Sequence, residues 1–203
     1  MTPPGEPYLA PAGTAHAELR EKGSRFLALV EPVEDESAAR QRLKSLCVDY
    51  SDATHLCWAW RIGQPANERC SDAGEPAGTA GTPMLQVLRG VKLSDVMAVV
   101  VRWYGGVKLG KGGLARAYSQ AVQEALEELP TVERVLTILL EVVVPYARFG
   151  EFKRLVHRPE VEIVDERYAD ESVRLTLEVA VGRQEWLREA LASLGAEPSF
   201  PGG

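Results

Sequence analysis

The chain has 203 residues and a formal net charge of −6; 45% of its residues are apolar and 26% are charged. Such a chain can bury a full core as one large domain or two small ones, and its composition excludes a disordered or collagen-like protein. No segment approaches the ~20 apolar residues of a membrane span, and the N-terminus lacks the pattern of a secretory signal. We therefore expect a cytoplasmic protein without membrane contact, and the acidic balance argues against unspecific nucleic-acid binding.

The three cysteines, Cys47, Cys57 and Cys70, are odd in number and have no paired spacing. They are therefore expected to be reduced thiols rather than a disulfide framework. His55 could in principle bind a metal together with Cys57 and Cys70, but zinc ligands usually come in closely spaced pairs. We predict neither a metal nor a cofactor.

The first third of the chain has the periodicity of short strands and one helix. A turn at 21–23 separates two strand patterns, and Asp35 can cap a helix whose apolar residues recur at helical spacing. The elements predicted here are strands at 8–10, 16–19, 25–30 and 55–62, and a helix at 36–50. Alternation in the last strand puts Trp58 and Trp60 on a core face, and His55 and Arg61 on the other face, where they either line a site or lie half-exposed beside a helix.

Two glycine-rich loops flank an almost unbroken apolar strand at 96–103, which is predicted to be central and covered on both faces. Each loop precedes a helix. Thr82 and Pro83 are predicted to start the first, which Gly90 ends, and an apolar stripe predicts the second at 114–129. The loops hold eight of the chain's 18 glycines, Gly74, Gly78 and Gly81 in the first, and Gly105, Gly106, Gly110, Gly112 and Gly113 in the second.

Positive charge is concentrated around the second loop. Segment 76–116 carries a net charge of +5, from Arg89, Lys92, Arg102, Lys108, Lys111 and Arg116 against Asp95. An anionic ligand or RNA could explain this patch, and so could neutralisation by acidic residues elsewhere in the fold. Lys111 and Arg116 lie in or next to the first helical turn, where the helix dipole disfavours a cation. We expect either Asp72 and Glu75 of the first loop or an external anion to compensate them.

The second loop is close to the phosphate-loop pattern, with Gly105, Gly110 and Lys111 at the expected spacing between a strand and a helix. Gly112, however, stands where a Ser or Thr hydroxyl should hold Mg²⁺, which argues against a nucleotide triphosphatase. Asp72 and Glu75 could form a carboxylate pair for acid–base work, but no nucleophile accompanies them in a recognisable setting. The residues therefore form no recognisable catalytic constellation, which favours a non-enzymatic protein and keeps an enzyme as the alternative.

From Arg134 onward the sequence changes to long strands. The predicted elements are strands at 135–145, 161–168 and 172–182, helices at 147–157 and 184–194, and a short strand at 198–200. This β-α-β-β-α order matches a ferredoxin-like domain, which says little about function by itself. A boundary after Pro130 predicts domains at 1–132 and 133–203.

Four segments together resemble the IMPACT (YigZ) family: KGSRFLALVEPV, DATHLCWAWRIG, GEPAGTAGTPML and RWYGGVKLGKGGLARAY. With the C-terminal pattern, which looks like the second domain of bacterial members, the resemblance covers nearly the whole chain. It implies an α+β protein with an N-terminal β-α domain of the ribosomal-protein domain 2 and GHMP-kinase type. It also implies a C-terminal ferredoxin-like domain similar to domain V of elongation factor G.

The chain departs from the family at one position, since Ala73 replaces the second Asp of the usual Asp-Asp-Gly-Glu-Pro. If the family's acidic pair binds a metal, Ala73 weakens that site. If Asp72 and Glu75 only clamp the second loop, the replacement by Ala73 has little effect on the site.

The residues and the resemblance leave three functional hypotheses. The first is a cytosolic, non-enzymatic regulatory protein of translation that contacts RNA or a ribosomal surface through the basic loop, with Arg89 and Lys92 beside it. The second is an enzyme or sensor for a small phosphorylated metabolite bound at the same loops, and the third keeps the glycines purely structural. The residues predicted to bind an anion or RNA are Arg102, Lys108, Gly110, Lys111, Gly112, Gly113 and Arg116, with first-loop partners Asp72, Glu75, Thr79 and His55.

Overall fold

The computed structural model describes residues 7–196 and 198–199. Contacts divide the chain into two compact units, one formed by Tyr8–Arg134 and the other continuing from Val135. Each unit combines helices with an antiparallel sheet. The predicted two-domain α+β fold is therefore confirmed.

The first unit is built on a five-stranded antiparallel sheet. The strands of this unit are β1 (Tyr8–Pro11), β2 (Ala15–Glu21), β3 (Ser24–Pro32), β4 (His55–Ile62), β5 (Asn67–Ser71), β6 (Val96–Trp103) and β7 (Thr131–Arg134). The sheet order is β2-β3-β6-β4-β5, while β1 and β7 form a separate pair. As predicted, β6 is central, and seven of its eight residues are buried. The strand β5 was not predicted, because its polar sequence NERCS shows no apolar alternation.

Three helices cover the two faces of this sheet. They are α1 (Glu36–Asp49), α2 (Gly81–Gly90) and α3 (Gly110–Glu127). Trp60 and Met97 point into the cluster that contains α1, whereas Phe26 and Val100 point into the cluster that contains α2 and α3. Alternation along each strand thus gives every core face its own set of side chains.

The start of α3 differs from the prediction. The helix begins at Gly110 rather than at Leu114, so that Lys111, Gly112 and Gly113 belong to its first turn. Helix propensity disfavours glycine by about 1 kcal/mol, and the apolar stripe begins only at Leu114, which is why the pattern predicted a later start.

The boundary between the domains stays a proposal. The strand β7 runs across the expected position between 132 and 133 and pairs with β1 in the first unit.

The second unit has ferredoxin-like topology. Its elements are β8 (Thr137–Pro145), α4 (Tyr146–Val156), β9 (Val161–Tyr168), β10 (Ser172–Ala180), α5 (Gln184–Ser193) and β11 (Pro198–Ser199). The sheet order is β11-β8-β10-β9, and all pairs are antiparallel. This is the order expected of a split β-α-β fold. The end of the predicted last strand, Phe200, lies outside the described residues.

No helix in the described parts of the chain is both long and apolar enough to cross a membrane.

Candidate functional site

The first glycine-rich loop is fixed by the carboxylate of Asp72. The carboxylate accepts hydrogen bonds from the backbone N–H of Gly78 at 2.8 Å and from those of Ala80 and Gly81 at 2.9 Å each. These bonds satisfy N–H groups at the start of α2 that have no partner within the helix, and the helix has no side-chain cap of its own. The helix begins at Gly81, one residue before the predicted start at Thr82, and the distant Asp72 supplies its cap.

The same hydrogen bonds determine the acidity of Asp72. Burial raises the pKa of this carboxyl group, but the backbone N–H groups of Gly78, Ala80 and Gly81 favour the charged form and hold the pKa below its usual value. A depressed folded-state pKa stabilises the fold above the unfolded value of about 3.9, and this contribution is lost as the pH falls through the folded-state pKa.

Asp72→Ala is therefore expected to lower the free energy of unfolding by about 1–2 kcal/mol at neutral pH, the usual worth of a helix N-cap. The difference from the wild type should shrink in acid. Denaturant unfolding of both proteins over a series of pH values measures it, with Glu128→Ala, an exposed position directly after α3, as the control. A difference that stays constant down to low pH would contradict a charged cap.

Glu75 and Arg102 form a buried ion pair beneath the first loop. Their residues are 8% and 4% exposed, and Arg102 Nη1 lies 2.5 Å from Glu75 Oε1. The Tyr118 hydroxyl donates to the same oxygen at 2.8 Å, and Arg102 Nη2 donates to Ser24 Oγ at 3.2 Å. The pair thereby joins the first loop, strands β3 and β6 and helix α3.

His55 and Cys57 on β4 contact the backbone of the loop. His55 Nδ1 lies 3.0 Å from the Ala73 carbonyl oxygen, which can only accept, so Nδ1 carries the proton. His55 Nε2 is 3.9 Å from Glu75 Oε1, and Cys57 Sγ donates to the Asp72 carbonyl oxygen at 3.0 Å. The structure thus places His55 beside Glu75.

Ala73 stands where the family usually has a second Asp, and the structure shows whether this residue takes part in holding the loop. Its side chain is exposed, and its φ of 44° lies in the left-handed region. The two carboxylates that hold the loop are those of Asp72 and Glu75, whose contacts do not involve position 73. The replacement therefore leaves the clamp intact.

The buried cluster offers no activated nucleophile. Burial raises the pKa of Cys57 to about 12, with the charges of Glu75 and Asp72 adding to the effect. Burial, and then the neighbouring Cys57 and Glu75, also raise the pKa of Tyr118. Both groups stay protonated at neutral pH, and a thiol in this state is inert. Thr79 likewise makes a structural bond, donating its hydroxyl to the Pro76 carbonyl at 2.7 Å.

Among the described residues, no group of three or more His, Cys, Asp and Glu side chains is placed to hold a metal ion.

The second glycine-rich loop leaves β6 against the turn between β2 and β3. A Cβ on Gly105 would lie 1.9 Å from the carbonyl carbon of Gly23, so only glycine fits this contact between the two backbones. The Gly105 N–H donates to Ser24 Oγ at 3.2 Å, and the Tyr104 N–H donates to Thr54 Oγ1 at 3.0 Å. The start of the loop is therefore anchored on both sides.

The end of the second loop places positive charge at the N-terminus of α3. Lys108, Lys111 and Arg116 are exposed; in the part of the chain that the structure describes, no hydrogen bond or ion pair joins them to an acidic side chain. The first turn has no acidic residue and no side-chain cap. A Cβ on Gly112 would lie 3.7 Å from Arg116 Nη1, which places this guanidinium beside the first turn.

Of the two expected ways to compensate this group, pairing with the carboxylates of the first loop is not the one that the structure shows. Asp72 caps α2, and Glu75 pairs with Arg102 rather than with Lys111 or Arg116. Each carboxylate is used by a closer partner, so that the start of α3 keeps its positive charge.

Three of the predicted basic residues do not belong to this group. Arg102 is buried in its ion pair, which excludes the direct RNA contact predicted for it. Arg89 pairs with Glu68 at 2.5 Å, and Lys92 precedes β6, whereas the second loop follows it. Since β6 has eight residues and a strand rises about 3.3 Å per residue, Lys92 lies at the opposite end of the sheet.

Tyr118 and Ser24 were not predicted to take part in the site. Tyr118 belongs to the apolar stripe of α3, but a buried tyrosine hydroxyl usually needs a partner, and that requirement was the available signal. No signal in the sequence identified Ser24, whose role depends on the pairing of β3 with β6.

Comparison with known proteins gives matches over both units. The model of the "Impact N-terminal domain" matches residues 22–126, and that of a domain of unknown function, DUF1949, matches residues 142–196. An "IMPACT family member" from Haemophilus influenzae is 35% identical over 195 residues, covering 95% of this chain and 92% of that protein. The IMPACT family member YigZ of Escherichia coli is 35% identical over 166 residues, covering 80% and 81%.

A crystal structure of a hypothetical protein is also similar. It is 30% identical, superposes with a TM-score of 0.70, and covers 96% of this chain and 97% of its own. The likeness thus extends over both units.

Proposed function

Because the chain belongs to the IMPACT family, we propose that it is a cytosolic, non-enzymatic regulatory protein of translation that contacts RNA or a ribosomal surface through the start of α3. The observation that carries the proposal is the group Lys108, Lys111 and Arg116, which we call the α3 basic group. Its members are exposed and have no acidic partner among the described residues.

The electrostatics of the α3 basic group favour an anionic partner. A cation in the first turn of a helix is disfavoured by roughly 0.3–1 kcal/mol, because the helix dipole is positive there. The first backbone N–H groups of a helix have no partner within the helix and can donate to phosphate oxygens. The protein as a whole has a net charge of −6, so the positive charge of the α3 basic group favours a specific contact with a polyanion over unspecific binding of the whole surface to nucleic acid.

The family resemblance also favours a role in translation. It implies a first domain of the type found in a ribosomal protein, and the second unit has the ferredoxin-like topology that the resemblance likens to domain V of elongation factor G. Fold alone does not assign function. The resemblance to translation proteins therefore favours RNA among the possible polyanions, and the contact itself is inferred from the α3 basic group.

The proposal is tested by titrating the wild-type protein into fluorescein-labelled RNA and by co-sedimenting it with ribosomes at several salt concentrations. Phosphate contacts release counterions, so the logarithm of the affinity should fall linearly with the logarithm of salt concentration. Absent binding, or binding that salt does not weaken, would refute an electrostatic contact with RNA or ribosomes.

A second candidate function is the sensing or conversion of a small phosphorylated metabolite at the same place. Its support is the uncapped first turn of α3, in which Gly112 and Gly113 leave the backbone accessible. A ligand at a hundred times its Kd should stabilise the protein by about 2.7 kcal/mol. A thermal-shift screen of nucleotides and sugar phosphates distinguishes the candidates, since only the metabolite hypothesis expects a rise in Tm.

A further inference from the structure

An exposed aromatic ring stands at the start of the second loop. Tyr104 directly follows β6, and its residue is 44% exposed. Val107 in the same loop is 52% exposed, and the next residue is Lys108 of the α3 basic group. An aromatic ring, an apolar side chain and a free cation therefore lie within five consecutive residues.

Neighbouring groups hold both the backbone of Tyr104 and the underside of its ring. The Tyr104 N–H is fixed by Thr54, and the following N–H by Ser24. The guanidinium carbon of Arg102 lies 5.5 Å from the ring centroid, and Arg102 is itself fixed by Glu75. The ring rests on a buried cation, which makes it a supported platform rather than a freely moving side chain.

We propose that Tyr104 stacks on an unpaired base of an RNA whose phosphates contact Lys108 and Lys111, so that this loop binds single-stranded rather than duplex RNA. The inference rests on the proposed RNA contact. Aromatic side chains beside a cationic track are the chemistry by which proteins bind single strands, because every base has a π-face. In a duplex the bases are stacked on one another and unavailable to a ring on the protein surface, so Tyr104 would add nothing there.

The short separation in sequence between Tyr104 and the lysines is compatible with binding a base and its neighbouring phosphates together. Gly105 and Gly106 separate Tyr104 from Val107, and Gly106 has a φ of 87°, so the chain turns directly after the ring without a side chain that could cover it. The cations that follow are on the loop and on the first turn of the helix. A base on the ring and its neighbouring phosphates on the lysines can therefore be bound by one short segment.

The test is fluorescence anisotropy with a labelled oligouridine and with a labelled RNA duplex of equal length. The proteins compared are the wild type, Tyr104→Ala, Tyr104→Phe and the double variant Lys108→Glu/Lys111→Glu. Removing the ring should weaken single-strand binding by about 5- to 150-fold, while Tyr104→Phe, which keeps the ring, should bind like the wild type. Duplex binding should be the same in all three proteins that retain both lysines.

The outcomes separate this inference from the proposed function. If the lysine variant loses RNA binding but Tyr104→Ala binds single strands as tightly as the wild type, the stacking contact is wrong and the basic contact stands. If the lysine variant binds both RNAs normally, the proposed function fails as well. Circular dichroism melts check that Tyr104→Ala is folded; an equal loss for Tyr104→Phe and Tyr104→Ala would also overturn the inference, since the π-face is then not what binds.

Discussion

Replacing Glu75 by glutamine is expected to lower the free energy of unfolding by about 3–5 kcal/mol. The change keeps the shape of the side chain but leaves the Arg102 guanidinium, with 4% of its residue exposed, without a counter-charge in a site that water does not reach. Removing one partner of a buried ion pair is costly because the remaining charge has lost its hydration. Denaturant unfolding at neutral pH measures the loss.

Two further variants make this expectation specific. Glu127→Gln makes the same chemical change at an exposed position at the end of α3 and should alter stability by less than about 0.5 kcal/mol. Replacing both partners, as Glu75→Leu/Arg102→Met, should recover part of the loss, because no unpaired charge is then buried. If Glu75→Gln costs no more than Glu127→Gln, the ion pair does not hold the first loop.

Reversing the charge of Lys108 and Lys111 together is expected to reduce affinity for RNA or ribosomes by about a hundredfold or more, since two attractive contacts become repulsive. The same variant should be at least as stable as the wild type. An acidic residue in the first turn of α3 interacts favourably with the helix dipole, by about 0.3–1 kcal/mol. Binding and stability should therefore change in opposite directions, which excludes unfolding as the cause of lost binding.

A control for this variant is Lys44→Glu, which changes the net charge by −2 against −4 in the double variant. Lys44 is exposed on α1, which packs on the other face of the sheet from α3. Its reversal changes the net charge in the same sense without touching the α3 basic group. Lys92→Glu gives a second comparison at the opposite end of β6. If either control weakens binding as much as the double variant does, overall charge rather than this group governs the interaction.

Much of the fold followed from apolar periodicity. The bounds of β4 and β6 were predicted as observed, and the order of elements after Arg134 predicted the ferredoxin-like topology. Apolar periodicity failed to predict the start of α3 and the strand β5, because backbone contacts rather than apolar side chains determine both. The early start of α3 at Gly110 runs against glycine's helix propensity, and β5 forms because its backbone pairs with β4, although its side chains show no strand pattern.

The site was predicted less well than the fold. The sequence showed that Asp72 and Glu75 share a loop and that cations follow β6, but it could not show which cation each carboxylate meets. That depends on the placement of β6 between β3 and β4, which puts Arg102 opposite both Phe26 and His55 and beneath the loop. The consequence is functional, because a carboxylate already paired with Arg102 cannot neutralise Lys111.

The most direct measurement for the central claim is the salt dependence of RNA affinity, compared between the wild type and Lys108→Ala/Lys111→Ala. Each lost phosphate contact should reduce the slope of log affinity against log salt by about 0.7 for a single strand. We predict a reduction of roughly 1.4 for the double variant, against no change for Lys44→Ala. An unchanged slope for the double variant would show that these lysines contact no phosphate and would contradict the proposed function.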